Sequence, residues 1–218
     1  MSETAVIIDY GSGNLRSAEK ALARAAMEAG LKTNVIVTSD PDTVCGADRI
    51  ILPGVGAFAD CRQGLLAVNG MKDAIEAAVR RRGVPFLGIC VGMHLLANEG
   101  HEHGIHKGMG WTDGVVKPMK PSDTSLKIPH MGWNDIVLSE TGKHHPVAGV
   151  LKPGDHAYFV HSYQMELANK ESLLATTKYG GDVTAIVGKD NIIGTQFHPE
   201  KSQAVGLKFL TAFLRWRP

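Results

Sequence analysis

The chain has 218 residues, enough for one sizeable hydrophobic core. Its 23 Lys and Arg balance 22 Asp and Glu, which argues against nucleic acid and against a polybasic membrane patch. Three cysteines without paired spacing suit a reducing cytoplasm, the polar start Met1–Thr4 does not read as a signal peptide, and no apolar run reaches the roughly 20 residues that span a bilayer.

Ala5–Ile8 reads as a buried strand, ended by Asp9-Tyr-Gly-Ser-Gly13. Apolar residues at Leu15, Ala18, Leu22, Ala25 and Ala26 predict a helix from Leu15 to Ala29, with Ser12 or Asn14 as its cap and Gly30 as its stop. Asn34–Thr38 and Arg49–Leu52 are the next strands, and Pro53-Gly-Val-Gly56 follows the second of them. Helical stretches fill 57–82. Val84–Leu87 then predicts a buried strand, Gly88-Ile-Cys-Val-Gly92 a sharp turn, and Met93–Ala97 the start of a helix. Such alternation implies α/β architecture: a mostly parallel central sheet with helices on both faces. The turns at 9–14, 53–56 and 88–92 would open on the carboxyl edge, where such sheets bind ligands.

The second half changes character. Short runs at 114–118, 134–138, 157–163, 172–178, 183–188 and 192–197 predict antiparallel strands that extend the same core. A last helix should run from Ser202, its cap, to Trp216. No repeat or linker interrupts the chain, so residues 1–218 read as a single domain.

Cys90 lies between glycines on a strand-to-helix turn, where a strained backbone and a helix N-terminus favour a thiolate nucleophile. His198 and Glu200, two apart in an extended segment, would face one side and supply a base and its orienter. Either motif by itself is more often structural. Together, each after an apolar strand, they are the parts of acyl transfer through a thioester. His101, His103 and His106 sit among Gly100, Gly104, Gly108 and Gly110, which suggests a flexible loop and no metal site. His144-His145 reads as a solvated turn, and Cys45 and Cys61 as packing residues.

Gly88-Ile-Cys-Val-Gly-Met93 with the late His198-Pro-Glu200 resembles the class I, or triad, glutamine amidotransferases. Asp9-Tyr-Gly-Ser-Gly-Asn-Leu15, Pro129-His-Met-Gly-Trp-Asn134 and His198-Pro-Glu-Lys-Ser202 narrow the likeness to the glutaminase subunits of imidazole glycerol phosphate synthase, over Val6 to Phe213. The resemblance implies a Cys90–His198–Glu200 triad that hydrolyses L-glutamine without a cofactor. It implies ammonia transfer to a barrel-shaped cyclase subunit, for histidine synthesis. It further implies oxyanion donors at the Val55 and Val91 N–H groups, and a glutamine pocket of Gly54, Gly56, His161, Ser162 and Tyr163. Asn14, Trp133, Tyr158 and Lys201 would meet the cyclase. One departure stands out: His94 occupies the place of the family's glutamine-seating Gln. Its imidazole is expected to contact substrate and to change charge near physiological pH. Rival readings are the glutaminase of pyridoxal phosphate synthase and a stand-alone cysteine hydrolase of related fold.

Overall fold

The computed structural model describes residues 2–218. Its first half runs β1 (Glu3–Ile8), α1 (Leu15–Glu28), β2 (Thr33–Thr38), α2 (Pro41–Gly46), β3 (Arg49–Gly54), α3 (Phe58–Ala67) and α4 (Met71–Ile75). A π-helical segment, Glu76–Arg81, continues α4 and leads to β4 (Phe86–Cys90) and α5 (Val91–His94). Then come β5 (Glu99–Gly100), β6 (His106–Lys107), β7 (Gly114–Pro118), β8 (His130–Asp135), β9 (Val137–Leu138) and α6 (Glu140–His144). Last are β10 (His156–His161), β11 (Tyr163–Leu167), β12 (Leu173–Lys178), β13 (Asp182–Lys189), β14 (Ile192–Thr195) and α7 (Gln203–Arg215).

Eight strands form the central sheet in the order β2-β1-β3-β4-β14-β13-β12-β9. The first five are parallel and the last three antiparallel. β3 and β4 are buried along their whole length, as continuous apolar runs in a covered parallel sheet should be. The late strand β14 pairs antiparallel with β13 as the sequence suggested, but its other neighbour is a parallel strand. It inserts beside β4, because Ile192 and Ile193 are buried on both faces of the sheet. Two smaller sheets, β10-β8 and β11-β7-β5-β6, carry the rest of the second half.

Several boundaries differ from the sequence reading. Gly30 closes α1 as expected, in left-handed conformation, with the Leu31 N–H bonded to Ala26 O and the Gly30 N–H to Met27 O. Neither expected serine cap forms. Ser12 bonds to Val55 instead, and Ser202 to His198 and Tyr158. Asn14 takes the cap position without a capping side-chain bond. The helix expected from Met93 stops after one turn at His94. The carbonyls of Leu95, Leu96 and Ala97 accept N–H groups from Met109, Gly110, Trp111 and Thr112, so a distant loop takes the bonds that a longer helix would use. The 134–138 run splits into the ends of β8 and β9, and 157–163 breaks at Ser162.

The buried Arg49 ties the C-terminal end to the sheet. Its guanidinium donates to Leu214 O at 2.8 Å and Trp216 O at 3.0 Å, with Glu3 at 3.6 Å. A buried charge of this kind is tolerated because its donors are satisfied.

Candidate active site

The parallel strands end on one edge, where Gly54 pairs in register with Cys90. Cys90 sits there with φ 54° and ψ −111°, a backbone state costly for a residue with a Cβ. Close backbone approach imposes it. A Cβ on Gly92 would lie 1.8 Å from Leu52 O, one on Gly88 2.5 Å from Gly92 O, and one on Gly54 2.7 Å from Gly92 N. The glycines around Cys90 therefore serve packing as well as access. Because α5 is a single turn, the dipole expected to help the thiolate is small.

His198 follows β14, the neighbour of β4. Glu200 does not reach it along an extended segment. Pro199–Lys201 form a 3₁₀ turn that folds the carboxylate back, and Glu200 Oε1 lies 2.7 Å from His198 Nδ1, both side chains buried. Ser202 fastens this turn: its hydroxyl donates to His198 O at 2.7 Å and accepts the Tyr158 N–H at 3.0 Å. His198 Nε2 is buried and makes no hydrogen bond, which leaves it free for the Cys90 sulfur or for a reacting group. Burial pulls the imidazolium down, but Cys90 and Glu200 outweigh it and hold the His198 pKa up at about 9.

A cavity of about 330 Å³ opens at Cys90 and His198. Val55, Gly56, Val91, His94, His161, Ser162, Tyr163 and Lys201 line it, as the sequence reading expected of the first seven. Gly54 does not line it; it packs under the Cys90 turn. A larger groove, about 1010 Å³, runs beside α1 and α7 and holds none of the triad residues. The sequence reading missed Glu102, the sole carboxylate of the smaller cavity, held by the Phe58 N–H at 2.7 Å. A loop rich in Gly and His gave no signal for it.

Three further placements differ from expectation. The Val55 N–H donates to Ser12 Oγ at 3.1 Å, while that hydroxyl donates to Val55 O at 2.7 Å. In this state Ser12 occupies the N–H of the expected oxyanion donor. His94 is buried, its Nε2 2.7 Å from Gln196 Oε1, and burial lowers its pKa to about 4 despite that bond. It stays neutral at physiological pH instead of switching there.

His161 has no free ring nitrogen for substrate. Its Nδ1 donates to Tyr163 O at 2.9 Å, so Nε2 must accept from His130 Nδ1 at 3.0 Å. His130 Nε2 in turn accepts from Asn134 at 3.2 Å. The stretch 129–134 thus buttresses the glutamine pocket from its buried side.

The outer side of that strand differs. Trp133 is 49% exposed and meets Tyr158 edge-on at 6.1 Å, with Lys201 Nζ 5.6 Å from the Tyr158 ring centre. These three expected partner residues form one patch. Asn14 makes no side-chain hydrogen bond with any of them. Among the histidines of the glycine-rich loop, His101 pairs with Glu99 at 2.7 Å, and no group of three or more metal-ligating side chains converges among the described residues.

The sequence and fold match a known class. The pattern of the family described as glutamine amidotransferase class-I matches residues 6–215, and the chain belongs to that family. A solved glutamine amidotransferase shares the fold at TM-score 0.66 and 19% identity, covering 95% of this chain and 98% of that one. A Thermotoga maritima glutamine amidotransferase does so at 0.59 and 12%, covering 99% and 84%. Within the class the match is specific. Imidazole glycerol phosphate synthase subunit HisH of Bradyrhizobium diazoefficiens is 59% identical, and that of Rhodospirillum rubrum 54%, each covering 97% of this chain and 98% of the relative. The chain is a member of that HisH subunit family.

The buried histidines predict an acid-sensitive fold. Unfolded imidazoles titrate near 6.5. Burial holds His94 and His130 at about 4 and His161 at about 3. The unfolded chain therefore binds more protons below pH 6.5, and the stability these neutral rings contribute is lost as pH falls toward 4. His198 has the opposite sign, its contribution fading as pH rises from 6.5 through about 9. Resistance to urea unfolding is expected to fall steeply from pH 6.5 to 4.5. His94→Gln should make that slope shallower by about 1.4 kcal/mol per pH unit, one proton-equivalent.

Proposed function

We propose that the chain works as one amidotransferase domain. It hydrolyses L-glutamine to glutamate and ammonia and passes the ammonia to the cyclase subunit of imidazole glycerol phosphate synthase. The observation that carries this reading is Cys90 at the strained turn, beside a His198 already bonded to Glu200. HisH relatives that match over nearly the full length support the partner.

The geometry supports a thioester route. The Cys90 sulfur attacks the side-chain carboxamide carbon, a C–S bond forms, and the carbonyl electrons move to oxygen. With its pKa near 9, His198 carries a proton at neutral pH and gives it to the departing nitrogen as the C–N bond breaks. Water then attacks the thioester, His198 takes its proton, and glutamate leaves as the sulfur is restored. Glu200 holds the imidazole in one orientation and stabilises its charged form. Glu102 suits the α-ammonium group of glutamine, because it is the one carboxylate on the cavity wall. The Val55 and Val91 N–H groups would receive the oxyanion once the Ser12 clamp lets the Pro53–Gly56 segment turn. A bound cyclase would favour that turned state, which makes ammonia release conditional on the partner.

Four results are expected. Cys90→Ser abolishes glutamine hydrolysis while ammonia-driven synthesis by the complex survives. Mass spectrometry after a glutamine-analogue alkylator finds the label on Cys90; label on Cys45 or Cys61 instead would reject the assignment. Ser12→Ala removes both bonds to Val55 and raises turnover of the isolated chain roughly 2–10-fold, the scale of one hydrogen bond; steady-state rates without cyclase check this. Trp133→Ala and Lys201→Ala weaken complex formation or ligand-stimulated turnover about tenfold while leaving thermal unfolding close to the parent, as expected for exposed anchors; titration with cyclase measures it.

A further inference from the structure

Gln196 is a polar side chain with no exposure to solvent, placed between two groups of the site. Thr195 pairs with Ile89 in parallel register, so the next residue comes level with Cys90. The Gln196 Nε2 donates toward the Cys90 sulfur across 3.8 Å, and its Oε1 lies 2.7 Å from His94 Nε2. A carboxamide oxygen only accepts, so His94 Nε2 carries the proton. The His94 ring is neutral at physiological pH and keeps that tautomer. With that proton in place, the carboxamide turns its oxygen to His94 and its donor end to the sulfur.

We propose that Gln196 is a positioning residue for the Cys90 sulfur, locked by His94, which holds the thiolate through an N–H···S contact. His94 thus acts on the reaction through Gln196 and not by seating glutamine alone. A donor aimed at an anionic sulfur favours the charged form and fixes the direction from which the sulfur attacks. The inference rests on Cys90 being the nucleophile of glutamine hydrolysis.

The titrating groups around the sulfur are His198 just before the 3₁₀ turn, Tyr10 after β1 and Cys61 on α3. Glu200 lies behind His198, and Glu102 and Lys201 stand on the cavity wall. Burial pushes both the Tyr10 hydroxyl and the Cys61 thiol up. All of these remain in the variants that follow, so differences report on Gln196 and His94.

The experiment follows the rate of Cys90 alkylation by iodoacetamide against pH, peptide by peptide, so that Cys45 and Cys61 are scored separately. Gln196→Met keeps the length of the side chain and loses the donor. Its rate curve is expected to move up by about one pH unit, roughly tenfold slower alkylation below the midpoint. Gln196→Glu moves it further, because a carboxylate then faces the sulfur. His94→Leu shifts it in the same direction, and His94→Gln, which restores a donor to Oε1, recovers at least half of that shift. An unmoved curve in a folded Gln196→Met protein overturns the proposal. If Gln196→Met does not fold, the His94 pair decides: recovery by Gln supports the relay, and equal curves for Leu and Gln overturn it. Labelling of the parent by a glutamine analogue runs alongside. No label on Cys90 there rejects the nucleophile itself, whereas a labelled parent with an unmoved Gln196→Met curve rejects only the role of Gln196.

Discussion

The close crossing of the Cys90 turn over the end of β3 is the constraint on which the rest of the structure depends. Gly92 lies so near Leu52 O that no side chain fits, and Gly54 and Gly88 give the same backbone its clearance from either side. This contact forces Cys90 into a conformation that a residue with a Cβ adopts only under compulsion. The cost of that strain is offset by the neighbouring strands β3, β4 and β14, whose apolar residues are buried. Nucleophile presentation and core packing are therefore one feature, and damage to either reaches the other.

From that fixed point the site is built by bonds between distant segments. β14 enters beside β4 and brings Gln196 and His198 to the sulfur. A 3₁₀ turn folds Glu200 onto His198, and Ser202 fastens the turn to β10. β10 pairs with β8, where Tyr158 stands opposite Trp133. One strand pair thus carries buried histidines toward the proposed glutamine pocket and exposed aromatic rings toward the proposed partner. The His130 bond ties β8 to His161 across this strand pair.

Under the proposed function, the clamp between Ser12 and Val55 is the resting state that partner binding would release. It joins the loop after β1 to the segment after β3, two loops that open on the same sheet edge. Such a contact is weak enough to be exchanged for partner interactions, since each of its two hydrogen bonds contributes about 0.5–1.5 kcal/mol. Regulation by partner binding needs an element of that strength and no stronger.

Much of this was legible in the sequence. The buried runs of β1, β3 and β4 declare themselves by apolar content, Gly30 by its place after the last apolar position of α1, and Cys90, His198 and Glu200 by residue type and neighbours. Local sequence determined these because strand burial, helix termination and turn glycines act over a few residues. Tertiary structure alone decided the others. Ser12 and Ser202 look like helix caps, yet each finds a better partner more than 40 residues away. The helix after Cys90 ends early because loop 109–112 competes for its carbonyls. His94 resembles a titrating substrate contact, but burial against Gln196 keeps it neutral. Glu102 and Gln196 carry no motif of their own. Their roles arise from which strands become neighbours, and that is set by the packing of the whole chain, not by any stretch of it.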